Sequence, residues 1–482
     1  MHQYTRDSRA QETSVQNRLL WLGLAFGLPL SAGHAVPAHA QGCRPAELAK
    51  LLADDGYMVD HFGSCVAISG DAAIVGARLH DHNGTKSGAA YVYRFNGTVW
   101  VQEAKLLPLD GYASQFFGCS VSICGDTAVV GASGDDDNGT DAGAVYVFRF
   151  DGEEWVQEEK ITVSSGGTRD EFGRSVAVEE NSIVAGATRH GDPFGSAYVF
   201  RFDGAKWRVQ GVLEPVDSRI GNLFGWSVSI SGGFAVVGAQ GDDNENGINA
   251  GSAYVFSFDG TDWVQQSKLI ASDGVLEDHF GYSVAISGNT AVIGSPFHNT
   301  DGNEGAAYVF RFDGTNWAPV TRLIPASEIG GIRYGWSVSI SGNTAVIGAP
   351  WYNADGTIGQ SGAAYAFHFD GSSWTADGKL LAADGEAGDH FGFAVAASDG
   401  IALVGAQFDD DRGTDSGSAY IFNTACDSCP VDLNDDGVVN TLDVLVFLNA
   451  WVADDVVADW NGDMTIDIRD FLAYLNDWVA GC

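Results

Sequence analysis

Oxygen-bearing side chains recur near the C-terminus at spacings suited to a hard cation. Asp432, Asn434, Asp436, Asn440 and Asp443 stand at positions 1, 3, 5, 9 and 12 of one stretch, with Gly437 at position 6. A second set begins 27 residues on, with Asp459, Asn461, Asp463, Asp467 and Asp470 at the same positions and Met464 in place of the glycine. Calcium takes about six to eight oxygen ligands, and glycine at position 6 permits the sharp turn such a loop needs. A side chain opposes that left-handed turn, so the second loop is expected to bind more weakly. Two further acidic runs, residues 135–141 and 409–415, offer either a cation site or a solvated turn. Enzymatic chemistry finds no such pattern. There is no Gly-x-Ser-x-Gly elbow, phosphate loop or zinc spacing, and carboxylate pairs are too plentiful to single out a glycosidase dyad. The chain reads as a non-enzyme. The alternative is a secreted carbohydrate-active enzyme with an appended docking module.

The calcium loops need helices to hold them. Residues 444–451 and 471–478 have apolar spacing that would bury one helix against its twin. A module of about 50 residues has little core, so calcium should be needed for it to fold. Cys429 and Cys482 bracket the module and are expected to join, with Cys426–Cys482 as the alternative pairing. The duplicated loop-helix unit, with Asp at position 12, resembles paired EF-hands and above all a type I dockerin, which lacks the entering helix. That resemblance covers about residues 431–479. It implies a cohesin-like or cell-surface partner, selected by positions 10 and 11 of each loop: Thr441 and Leu442, then Ile468 and Arg469. The two pairs differ from each other, which argues against two symmetric docking modes. The closing Gly481-Cys482 also resembles tails on exported bacterial proteins that lack cellulosomes.

Upstream, one unit recurs seven times. An aromatic-Gly pair stands at Phe62-Gly63, Phe117-Gly118, Phe172-Gly173, Phe224-Gly225, Phe280-Gly281, Tyr334-Gly335 and Phe391-Gly392, in steps of 55, 55, 52, 56, 54 and 57 residues. Alternating runs such as Ser337-Val338-Ser339-Ile340-Ser341 follow, then an apolar run such as that ending in Gly348-Ala349-Pro350. Period-2 alternation and Asp-Gly turns such as Asp313-Gly314 predict four antiparallel strands per unit. Seven such sheets fit a radial propeller, which leaves only short, protected edges. The seventh unit lacks its fourth strand, while Ala49-Lys50-Leu51-Leu52 matches the fourth-strand sequence Ala104-Lys105-Leu106-Leu107. A ring sealed by an N-terminal strand accounts for both. By repeat register Cys43 falls at the place of Thr98 and Cys426 at that of Gly97, neighbours in one hairpin turn. A Cys43–Cys426 disulfide is therefore expected, worth roughly 4–5 kcal/mol by chain entropy.

The Phe-Gly and Gly-Ala-Pro landmarks resemble FG-GAP repeats, a family of seven-bladed propellers that includes the head of integrin α subunits. The resemblance covers residues 48–422. In that family the loop between the first two strands often carries calcium. Here it is as short as Ser69-Gly70-Asp71 or Ser287-Gly288-Asn289, with too few oxygens, so the resemblance implies no calcium at that loop. His61, His279 and His390 each precede the aromatic-Gly pair and read as structural. Cys65, Cys119 and Cys124 read as buried small side chains rather than nucleophiles.

The remaining residues bound the setting. The formal net charge of −38 repels phosphate backbones and excludes nucleic acid as partner. Arg6, Arg9 and Arg18 precede an apolar run over residues 19–30, and Ala38-His39-Ala40 supplies small residues for cleavage. This is the pattern of a secretory signal peptide, and the run is too short to span a bilayer. Asn83, Asn96 and Asn138, each in Asn-Gly-Thr, read as turns. The expected organisation is a signal peptide at 1–40, a propeller at 41–425, a linker at 426–430 and a calcium module at 431–482. The fold class is an all-β seven-bladed propeller of four-stranded antiparallel blades closed by an N-terminal strand, plus a small α-helical domain. The function expected of it is a secreted or cell-surface, calcium-binding interaction or adhesion scaffold without a transmembrane anchor. Its propeller would recognise protein or glycan.

Overall fold

The computed structural model describes residues 45–163, 167–190, 194–217, 219–299, 305–325, 331–353, 359–424, 431, 433, 441–453, 458–460 and 465–480. The expected signal peptide and Cys43, Cys426, Cys429 and Cys482 lie outside the described residues. The chain divides into two compact units, and residues 45–425 form the first.

Among the described residues this unit holds seven four-stranded antiparallel sheets, with strands numbered β1 to β28 in chain order. The first blade shows the plan: β2 (Phe62–Ser69), β3 (Ala72–Ala77), β4 (Ala89–Phe95) and β5 (Trp100–Leu106), each paired to the next. The β3 strand is buried along its whole length because both faces of the sheet are covered. Ile74 and Val92 join a core layer with the second blade, while Val75 and Tyr91 join one with the seventh. Side-chain alternation thus divides each sheet between two neighbouring core layers.

The inner strands are β2, β6 (Phe117–Cys124), β10 (Ser175–Glu179), β14 (Phe224–Ser231), β18 (Ser283–Ser287), β22 (Ser337–Ser341) and β26 (Ala394–Ser398). Each packs on the next, and β26 packs on β2, so the ring is closed. The last blade pairs β26 with β27 (Ile401–Ala406), β27 with β28 (Ser418–Asn423), and β28 with β1 (Ala46–Leu51). The register Lys50↔Tyr420 repeats that of Lys105↔Tyr91 in the first blade. Even the bulge recurs: the β1–β28 register slips between Glu47 and Ala49, as the β4–β5 register slips between Val92 and Tyr93. The expected fourth-strand role is therefore met for Ala49, Lys50 and Leu51, while Leu52 lies just past the strand's end.

Two polar devices join the blades. The first uses the glycines of both repeated landmarks. A Cβ placed on Gly76, Gly131, Gly186, Gly238, Gly294, Gly348 or Gly405 would collide with the carbonyl oxygen of Gly118, Gly173, Gly225, Gly281, Gly335, Gly392 or Gly63, respectively. The carbonyl brought so close is used: Ser120 Oγ donates to Gly173 O at 2.7 Å, and Ser175 Oγ to Gly225 O at 2.8 Å. Cys65 Sγ takes the serine's place, 3.0 Å from Gly118 O. The second device sits at the first hairpin. Gly125 N–H donates to Ser69 Oγ of the preceding blade at 3.2 Å, Glu180 N–H to Cys124 Sγ at 3.4 Å, and Gly70 N–H to Ser398 Oγ at 3.1 Å across the closing seam. Cys65 and Cys124 are thus free thiols at serine positions, with polar roles that the reading as inert small side chains missed.

In the C-terminal unit, α1 (Thr441–Val452) and α2 (Ile468–Ala480) carry an aromatic core. Phe447 stacks on Tyr474 at 4.3 Å, Trp451 on Phe471 at 5.8 Å, and the Tyr474 hydroxyl donates to Val431 O at 3.2 Å. Among the described residues no helix is long and apolar enough to cross a membrane.

Removing residues 45–53 should strip Leu51 and Lys50 from the seventh blade and bare the β28 edge. We expect a loss of roughly 5 kcal/mol in denaturant unfolding and concentration-dependent association in sedimentation. An unchanged, monomeric melt would contradict the closure.

Candidate functional site

In blades two, four and seven the acidic clusters of the propeller are built by three elements. The turn that enters the blade contributes one carboxylate, the loop after the second strand another, and the fourth strand a cation. Lys160 Nζ lies 2.7 Å from Asp110, 2.8 Å from Asp135 and 2.7 Å from Asp137, and the Tyr146 hydroxyl donates to Asp110 at 2.9 Å. Lys50 repeats this with Asp384 (2.7 Å), Asp409 (3.1 Å) and Asp411 (2.6 Å), and Lys268 with Asp217 (2.5 Å) and Asp242 (2.8 Å). In other blades Lys105 bridges Asp55 (2.5 Å) and His80 (2.8 Å), and Arg322 bridges Asp273 (2.9 Å) and His298 (3.2 Å). Although burial opposes each charge, hydrogen bonds to the carboxylates raise the Lys160 and Lys50 ammonium pKa values. Burial likewise opposes ionisation of Asp110, Asp217 and Asp384, yet the lysine bonds hold them below the usual carboxylate range.

The three carboxylates of Asp110, Asp135 and Asp137 are close enough to share one metal ion. The place such an ion would take is held by the Lys160 ammonium. Asp135 and Asp137 in one run, and Asp409 and Asp411 in the other, thus form anionic sockets for an internal lysine. The signal was present in the repeat register, since Lys50, Lys105, Lys160, Lys268 and Lys379 share one fourth-strand position.

The expected calcium ligands of the tail are placed in part. Asp432, Asn434, Asp436, Asn440, Asn461 and Asp463 lie outside the described residues. Asp443 and Asp470, the two position-12 carboxylates, are both fully buried in the first turns of α1 and α2. Asp470 also closes a capping box: Asp467 N–H donates to its Oδ2 at 2.7 Å, while Asp467 Oδ1 accepts the Arg469 N–H at 2.8 Å. The Arg469 guanidinium lies 2.7 Å from Asp467, so an expected partner-selecting residue grips an expected ligand. Thr441, Leu442, Ile468 and Arg469 are all exposed, as are Leu445 and Leu472 one turn further along.

A third cluster, not anticipated as a unit, lies where the inner strands begin. His61, His279 and His390 adopt φ of 54°, 54° and 55°. Their rings lie against Phe408 (4.9 Å), Phe297 (4.9 Å) and Trp351 (5.0 Å). Burial lowers the pKa of all three, that of His61 to about 4, with Arg78 and Lys86 adding to the effect and Asp60 opposing it. Their expected structural role agrees with this packing.

With the geometry in hand, the family comparison is decisive. A model of the FG-GAP repeat matches residues 45–93, 100–148, 155–200, 207–256, 263–310, 317–367 and 374–422. The chain belongs to the FG-GAP repeat family. Each FG-GAP unit begins on a fourth strand and ends on the third strand of the next blade, so the family repeat and the blade are one strand out of phase. No curated protein matches the chain. A chain in the crystal structure of the mitotic checkpoint complex aligns over 82% of this FG-GAP protein and 97% of its own length, at 12% identity and a TM-score of 0.45, too low to bear on function.

Two substitutions test the electrostatics. Lys160→Met leaves Asp135 buried without its cation and should cost about 3 kcal/mol in denaturant unfolding; no change would mean the socket is merely surface. His61 is depressed in the folded state, so the unfolded chain binds its proton first on acidification, and folded stability falls from about pH 6.5 towards pH 4. Asp377 and Asp389, both pushed up to about 6 by burial, act in the opposite sense. The difference between wild type and His61→Gln isolates the histidine. Relative to the variant, wild type should lose stability over that window, and parallel pH curves would refute the assignment.

Proposed function

We propose that this FG-GAP protein is a secreted, non-enzymatic interaction scaffold, whose propeller recognises a partner and whose C-terminal module binds calcium and docks or anchors it. The observation that carries the reading is the division of charge in the propeller. Its acidic clusters are spent on internal lysines, while a continuous run of half-buried rings is left at one end of the inner strands. A closed ring holds such a surface rigid, which lowers the ordering cost of binding.

Calcium fits the tail on the chemistry of its donors. The two buried position-12 carboxylates sit in a small aromatic module where burial of charge requires compensation. Asp432, Asn434, Asp436, Asn440 and Asp443 would hold one ion, and Asp459, Asn461, Asp463, Asp467 and Asp470 the other. Bound calcium would supply the positive charge that lets these carboxylates converge and the helices pair. Exposed Leu442, Leu445, Ile468 and Leu472 support a docking role for the same module, with a cohesin-like or cell-surface partner. The charged lead and apolar run before residue 40 support export.

Calorimetry of the full chain tests the calcium reading, and binding screens test the scaffold. We expect two transitions, with the C-terminal one lowered by EDTA and restored by calcium while the propeller transition stays fixed. A calcium-independent trace would overturn the metal assignment. Protein and glycan screens should detect partner binding without turnover; hydrolysis abolished by one carboxylate substitution would replace the scaffold by an enzyme.

A further inference from the structure

The position after each aromatic-Gly pair lies at the start of an inner strand, and its occupants are unequal around the ring. Blades one and two carry Ser64 and Cys119, the third carries Arg174, and the rest carry Trp226, Tyr282, Trp336 and Phe393. The larger groups touch in sequence. The Arg174 guanidinium lies 4.5 Å over Trp226, Trp226 is 5.7 Å from Tyr282, and Tyr282 is 4.6 Å from Trp336. Trp336 is 4.6 Å from Trp351, which leads through His390 and Phe408 to His61. The rings thus form a crescent over blades four to seven, ending at His61 of blade one. The gap in the crescent is a cavity of about 430 Å³ lined by Arg78, Cys119 and Arg174 among others.

The cations here combine burial with the lack of an acid. Lys50, Lys160, Lys268 and Arg94 are carboxylate-paired, and Arg201, Arg219 and Arg311 are exposed, whereas Arg78, Arg174 and Arg333 are half-buried and form no ion pair among the described residues. Arg78 Nε is sealed from solvent without a hydrogen-bond partner. Arg333 lies 4.1 Å over Phe297, and burial lowers its pKa. Although burial pushes the Tyr282 hydroxyl pKa up, the charges of Arg174, Arg78 and Arg333 all act on it in the opposite direction, so the three converge on one region. On the cavity wall Glu171 is already engaged by Arg189 (3.7 Å) and Thr188 (3.2 Å), leaving Asp141 as the other acid of the lining. In a chain of formal charge −38, three half-buried guanidinium groups without carboxylates are a costly arrangement unless an anion completes them.

We infer that this mouth binds an anionic saccharide, with its carboxylate or sulfate in the Arg78–Arg174 cavity and its sugar rings stacked along the Trp226–Tyr282–Trp336 crescent. This rests on the scaffold reading and names its ligand class. A saccharide is favoured over an acidic peptide because an acidic side chain would engage the arginines yet occupy only part of the cavity and leave the crescent bare. Linked sugar rings present one apolar face after another, and aromatic side chains pack against such faces.

The test titrates the full chain with oligogalacturonate, a sulfated carrageenan oligosaccharide, a neutral galacto-oligosaccharide and a polyglutamate peptide, read by tryptophan fluorescence and calorimetry. One or both anionic saccharides should bind, which tells carboxylate from sulfate, with affinity falling as salt rises and unaffected by EDTA. Arg174→Gln and Trp226→Ala should each weaken binding at least tenfold while the circular dichroism spectrum and melt stay as in wild type. Equal binding of the neutral sugar, or an Arg78→Gln/Arg174→Gln double variant that binds as wild type, would overturn the inference and leave the scaffold reading standing. Binding of polyglutamate alone would overturn the saccharide assignment. No binding of any of the four probes overturns the inference, while partner capture in the wider screens decides the scaffold reading separately.

Discussion

Everything in the propeller depends on how closely one blade's second strand approaches the next blade's inner strand. At each of seven seams a glycine of the second strand, in Gly-Ala six times and in Gly294-Ser295 once, meets the carbonyl of an aromatic-Gly glycine at a distance that admits no side chain. The two glycines are therefore one structural feature, split between adjacent repeats. Their contact sets the wedge between sheets, and the flanking aromatics, Phe62 to Phe391, fill the space beside it. The seam from Gly405 to Gly63 obeys the same rule as the six within the chain. Closure thus needs no special geometry; it needs the seventh copy of a common contact. One difference marks it: where Ser120 or Ser175 donates across other seams, the seventh blade has Ala394. The burden of holding that seam falls more heavily on β1.

Charge follows a similar economy. The chain is strongly acidic, yet in the sockets its buried carboxylates are drawn together around a cation. Each socket gathers acids from two loops around a fourth-strand cation and ties the entering Asp-Gly turn to the tyrosine of the third strand. That arrangement fastens the connection between consecutive blades, because the turn leaves one sheet and the lysine belongs to the next. At β1, Lys50 fastens the two ends of the ring, reaching Asp384, Asp409 and Asp411.

Much of this could be read from the residues alone, for a physical reason. Repetition multiplies a weak local signal by seven, so the period, the four strands, the closing strand and even its register were accessible. The interior of the repeat was less so. The loops at 135–141 and 409–415 read as free acid because the cation that neutralises them lies more than twenty residues away in one case and across the chain in the other. Cys65 and Cys124 read as buried small side chains because nothing local shows that they stand where serines donate and accept. The crescent of rings was hidden for the opposite reason. Trp226, Tyr282, Trp336 and Phe393 look like one more repeat position until the ring sets them side by side. In the tail, position-12 acids were legible as a pattern, but the capping role of Asp470 and the grip of Arg469 on Asp467 arise only from the helix start.

The offset between repeat and blade has a consequence for how the molecule comes into being. Its first strand waits for its last: β1 emerges from the ribosome with no partner, and the edge it must join is made only after six complete sheets have been synthesised. Until then a sticky leading segment travels ahead of a growing open arc, and the final annealing is a contact of very high sequence separation, slow to form. Once made, that contact also governs disassembly, since no sheet can leave a shut circle without first breaking it. Persistence of the finished molecule is therefore set by the rate at which one short strand lets go.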